Sequence, residues 1–74
     1  MSEDQELWHV ASGAGRVACW MRTCCSGAEL QVLDGESIVL RELYPMKSDL
    51  YERARVLEAH YRDLAAARSH QPIL

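Results

Sequence analysis

Ala28–Pro45, AELQVLDGESIVLRELYP, is the stretch whose reading decides the fold. Two runs rich in aliphatic and β-branched residues flank an Asp34-Gly35 pair, the pattern of a β-hairpin with a tight turn. A two-residue turn at that pair sets Leu33 against Glu36, Val32 against Ser37, Gln31 against Ile38 and Leu30 against Val39. Pro45 closes the second strand, because proline has no N–H for the ladder and restricts Tyr44 before it.

Upstream, Ser26-Gly27 reads as a second turn, and Val17–Cys25, VACWMRTCC, as the strand before it. The same two-residue rule sets Cys25 against Ala28, Thr23 against Leu30, Met21 against Val32 and Trp20 against Leu33. Leu7–Ala11, LWHVA, allows a short first strand, with Trp8 and Val10 on one side and Leu7 and His9 on the other. Ser12–Gly15, SGAG, is a flexible turn between them.

Alternation then sorts the side chains onto two faces. One carries Val17, Cys19, Met21, Thr23, Leu30, Val32, Val39 and Leu43. The other mixes Arg22, Glu29 and Gln31 with Ala18, Trp20, Cys24, Leu33, Ile38, Leu40 and Tyr44. The first face is apolar and calls for a cover.

Downstream, a helix is expected from Ser48 or Asp49 to Arg68. Asp49 with Glu52 three residues on has the capping-box spacing, and Ser48 is an equally good N-cap. Leu50, Ala54, Leu57, Tyr61, Leu64 and Ala65 recur at intervals of three and four, giving one apolar stripe. Glu58 and Arg62 stand four apart in the favourable order.

The expected fold is therefore α+β: a two-layer antiparallel meander of three to four strands with one C-terminal helix packed on one face. The 74 residues form one small domain, with an ordered core at 7–68 and flexible ends at 1–6 and 69–74. With 49% hydrophobic against 26% charged residues, the chain is too apolar to remain disordered.

The chemistry-bearing residues give no constellation. Gly13-Ala14-Gly15 lacks the third glycine and the following helix of a dinucleotide loop. Three cysteines, Cys19, Cys24 and Cys25, are an odd number without the paired knuckles of a structural zinc site. Alternation also places Cys24 on the opposite face from Cys19 and Cys25, so no metal is expected, even with His9, His60 or His70 nearby. Cys24-Cys25 lacks the C-x-x-C spacing of a redox pair. Asp34 and Glu36 belong to the turn, and Glu29, Glu42 and Glu58 are scattered over different elements. No catalytic residue and no cofactor is expected.

The net charge of −3 disfavours a non-specific nucleic-acid binder, which needs a basic stripe. No stretch approaches the about 20 apolar residues of a membrane span, and the start MSEDQE is acidic where a signal peptide is basic. A cytoplasmic protein is expected.

Once strand, turn and helix are placed, the chain resembles a loose group of short bacterial proteins of unknown function. The residues carrying the likeness are Gly27–Val32 (a Gly-x-Glu-Leu-x-Val motif), Asp34-Gly35, the aromatic Tyr44 that ends a strand, and the helix Asp49–Arg68. They span roughly the last two thirds of the chain. The resemblance implies a small bacterial domain and brings no activity with it.

Trp20, Leu33, Ile38 and Leu40 stand out as interface candidates. Together they would form an apolar patch on a sheet face that no element of the chain is left to cover. The expected function is non-enzymatic: self-association as a homo-oligomer, a dimer through this second face or through an edge strand, or contact with another protein. The alternative is a nucleic-acid-binding or regulatory module reading through the same face with Arg22 and Gln31, Arg41 being expected on the other side.

Overall fold

The computed structural model describes residues 4–12 and 15–69. Strands β1 (Asp4–Ser12), β2 (Gly15–Cys24), β3 (Gly27–Asp34) and β4 (Ser37–Tyr44) precede helix α1 (Lys47–Ser69). Each strand pairs antiparallel with the next, giving the sheet order β1-β2-β3-β4. The fold is the expected α+β meander with its helix on one face, and all four strands form. The first strand begins at Asp4, inside the acidic segment expected to be flexible. Gly13 and Ala14 of the SGAG turn, and the tail after Ser69, lie outside the described residues.

Both hairpin turns are displaced by one residue from their expected places. Cys24 pairs with Gly27 and Asp34 with Ser37, so the turn residues are Cys25-Ser26 and Gly35-Glu36. Gly35 has φ +65° and no described non-glycine residue has positive φ. That is the II′ arrangement, with glycine at the first central position, rather than the I′ turn that Asp-Gly suggests. Gly27 follows its turn at φ +136°, and a Cβ there would run into the Tyr44 carbonyl oxygen and the Pro45 backbone. Moving a turn by one residue moves every pairing by two. Because side chains alternate with period two, β2 and β3 keep their expected faces.

Two bulges do change faces. In β1 the register steps between Glu6 and Trp8, and Leu7 turns toward the helix side, where it packs on the core. In β4, Ile38 pairs with Leu33 and Leu40 with Val32, so Val39 is the extra residue. Beyond it Leu40 and Tyr44 join the helix side, while Leu43 and Arg41 turn to the other. Val39 and Leu43, expected in the core, are 52% and 58% exposed.

The core lies between the sheet and α1. Leu30, Val32, Cys19 and Leu50 are fully buried, with Val17, Met21, Ala28, Ala54 and Leu57 around them. Each large aliphatic side chain so buried contributes about 1.5–3 kcal/mol relative to exposure. The helix lies chiefly along β1 and β3. Trp8 ties it there, since its indole N–H donates to the Ala54 carbonyl at 2.9 Å and its ring lies 5.9 Å from that of Tyr61.

Helix α1 starts earlier than expected. The Leu50 N–H already bonds the Met46 carbonyl, so Met46 holds the N-cap position and Asp49 lies in the first turn, where the helix dipole favours an acid. Leu50, Ala54 and Leu57 form the buried stripe and Tyr61 and Ala65 continue it half-buried, but Leu64 is 43% exposed. Arg62 bridges Glu58 at 2.7 Å, one turn apart as expected.

Candidate contact surface

The face of the sheet turned away from α1 is organised in rows across the four strands. One row runs Asp4–Arg22–Glu29–Leu43, the next Glu6–Trp20–Gln31–Arg41, and the third His9–Ala18–Leu33–Ile38. Trp20 and Leu33 are half-buried, Ile38 is half exposed, and Ala18 is buried although it lies outside the helix-side core. Ala18 is a small side chain between the taller His9 and Leu33 of its row. Three of the four interface candidates, Trp20, Leu33 and Ile38, are thus brought together on this face. Leu40 is not: the Val39 bulge carries it to the helix side, where it packs against the core.

Leu43, a residue that alternation did not select, turns to this face instead, at the β4 edge in the row of Asp4, Arg22 and Glu29. Along Leu40–Tyr44 one charge falls on each side, Arg41 and Glu42, so period two does not tell the faces apart. Only the pairing with Glu29 assigns Leu43.

The charges on this face are joined in pairs. Arg22 meets Asp4 at 3.3 Å, Arg16 meets Glu6 at 2.7 Å, and Arg41 meets Glu29 at 3.4 Å. Glu6 also lies 3.5 Å from His9, and the Gln31 amide donates to Glu29. Three carboxylates therefore stand against three guanidinium groups, and the face carries no net charge from them. Such pairs in solvent stabilise a chain by roughly 0–1 kcal/mol each. They leave the face without a net sign.

Cys19 and Cys24 fall on opposite faces of β2 as alternation implied, but Cys25, expected on the Cys19 face, lies in the turn next to Cys24. Cys19 is buried on the helix side, and burial pushes its thiol up to about 12, with Glu58 adding to the shift. Cys24 and Cys25 are exposed at the β2–β3 tip, with Cys24 Sγ 3.9 Å from the Ser26 hydroxyl. Among the described residues no three of His, Cys, Asp and Glu gather as metal ligands would. Among them also, no helix is long and apolar enough to cross a membrane.

One polar cluster lies on the helix side and escaped the sequence reading. The Tyr44 hydroxyl donates to Glu42 Oε1 at 2.5 Å, and Arg53 Nε donates to the same oxygen at 3.2 Å. The Tyr44 hydrogen bond holds the Glu42 carboxyl below its ordinary range, helped by Arg53, and the same bond raises Tyr44. It fastens the end of β4 to the second turn of α1. A crevice lined by Asp4, Gln5, Met21, Thr23, Lys47 and Tyr51 opens at the sheet end near the helix start.

Fold and surface together define a small two-layer α+β domain with one sheet face covered by its own helix and, among the described residues, the other open. No known protein family, curated protein or solved structure matches the chain.

Proposed function

We propose that this protein is a non-enzymatic contact module, acting by self-association through the open face of its sheet. The observation that carries the reading is the makeup of that face. Trp20, Ala18, Leu33 and Ile38 form an apolar patch, Leu43 stands apart from it beyond Arg41 at the β4 edge, and the charges around the patch are matched within the chain. An apolar middle with paired charges around it is the composition of a protein interface. Tryptophan near its centre suits an anchoring role.

The neutral balance of the face also weighs against nucleic acid. Arg22 and Arg41 each face a carboxylate of the same sheet, so neither is free to release counterions from a phosphate backbone.

Light scattering on the purified chain tests the reading. The expected mass is twice 8.4 kDa. Trp20→Asp and Ile38→Lys should each return it to 8.4 kDa while circular dichroism stays unchanged. A wild-type monomer, or a dimer indifferent to both folded variants, would sink it.

A further inference from the structure

Resting on that reading, we infer that the occupant of the open face is a second copy, packed face to face about a two-fold axis parallel to the strands. The charge pattern selects this arrangement. From edge to edge the open face carries carboxylates on β1 (Asp4, Glu6), guanidinium groups on β2 (Arg16, Arg22), a carboxylate on β3 (Glu29) and a guanidinium on β4 (Arg41). An axis along the strands lays β1 over β4 of the second copy and β2 over β3. Every charged column then meets the opposite sign.

The rows agree with the columns. A rotation about the strand direction leaves each row at its own height along the sheet. Arg22, paired in its own chain with Asp4, thus comes over Glu29 of the other copy, since both belong to one row, and Glu6 over Arg41, which share the next, while Asp4 comes over Leu43. In the apolar row Ala18 comes over Leu33 and leaves it room, a small residue opposite a large one. The other two-folds do worse. An axis across the strands puts β1 on β1 and β2 on β2, so each charged column lies over a column of its own sign. An axis normal to the sheet joins edges and leaves Trp20 uncovered.

This geometry places the two β2–β3 tips at the same end of the dimer. β2 and β3 are the central strands, so the tips lie near the axis, with packed sheets about 10 Å apart. Either alternative sets the tips at opposite ends, separated by about the length of a strand, roughly 30 Å. Cys24 and Cys25 sit at that tip, exposed and free, whereas Cys19 is buried.

The native thiols therefore report the axis. The full chain, at a concentration where light scattering gives the dimer, is treated with a bismaleimide of about 13 Å span, a length set by the sheet spacing plus the usual rotation of packed sheets. The expected product is a covalent dimer joined through Cys24 or Cys25. It should fall to background in a Cys24→Ser, Cys25→Ser double variant that still scatters as a dimer, and equally in the monomeric Ile38→Lys variant. A dimer that Ile38→Lys dissociates but that does not cross-link overturns the axis and leaves the contact reading standing. Equal cross-linking of the Ile38→Lys monomer marks random collision and also overturns it. A wild-type monomer overturns both.

Discussion

The two faces of this sheet are built from the same four strands, yet they solve different problems. On the helix side Val17, Cys19 and Met21 of β2 meet Ala28, Leu30 and Val32 of β3, and every one is buried without a charge among them. On the open side the intervening residues are Arg16, Ala18, Trp20 and Arg22 against Glu29, Gln31 and Leu33. A face covered within its own chain meets its cover at every folding event and can be wholly apolar. The other face has no cover among the described residues, and ion pairs stand beside its apolar side chains, as the proposed contact with a second copy requires.

Truncation should separate the two most sharply. Leu30→Ala removes a fully buried side chain beneath α1 and should cost about 2–5 kcal/mol, as core leucines do. Ile38→Ala trims a side chain that is half exposed in the free chain and should cost less than about 1 kcal/mol there. Urea denaturation at a concentration low enough to hold the chain monomeric measures both. Equal losses would erase the distinction between the faces.

The helix-side face was legible in the sequence because β2, β3 and α1 each carry one unbroken apolar period. Val17, Cys19, Met21, Leu30, Val32, Leu50, Ala54 and Leu57 follow from alternation and from the i, i+3, i+4 stripe alone. Even misplaced turns left them right, since a shift of two residues preserves the face. The open face was legible only in part. Trp20, Leu33 and Ile38 precede the β4 bulge and stay where alternation put them, whereas Leu40, Leu43 and Tyr44 follow it and exchange sides. A bulge adds one residue without altering composition, and Ile38-Val39-Leu40 offers no glycine to mark it. The ion pairs were hidden for the same reason, because they depend on register that only the completed sheet fixes.

The two tryptophans carry the comparison to single hydrogen bonds. Trp8 donates from a buried indole to the Ala54 carbonyl, joining β1 to α1, and Trp20 stands half-buried on the open face. Trp8→Phe loses that donor and part of the ring, and should lower the stability of the free chain by about 1–3 kcal/mol. Trp20→Phe should leave the free chain within about 0.5 kcal/mol of wild type, as ordinary surface substitutions do, and weaken only the association. Thermal or urea unfolding of the monomer, set beside the dimer dissociation constant, reads the two effects separately. A larger stability loss for Trp20 than for Trp8 would invert the assignment of cover.

The smallest expected effect belongs to the polar cluster at the end of β4, which joins the sheet to α1 on the helix side. Glu42 is held below the ordinary carboxylate range by the Tyr44 hydroxyl, with Arg53 adding to it. A carboxyl lowered in the folded chain adds stability that is complete above its unfolded value and fades as pH falls through the folded one. Tyr44, raised by the same hydrogen bond, behaves in the opposite sense: its contribution is complete below the ordinary tyrosine value and fades as pH rises through the folded one. Both side chains are partly exposed, so solvent screening keeps each contribution below about 1 kcal/mol. Glu42→Gln should therefore flatten the acid and alkaline limbs of the stability profile together, lowering the plateau between them slightly. Arg53→Ala should soften the acid limb and leave the Tyr44 bond in place. Urea midpoints across the pH range would show it, and an alkaline limb untouched by Glu42→Gln would break the link between β4 and the state of Tyr44.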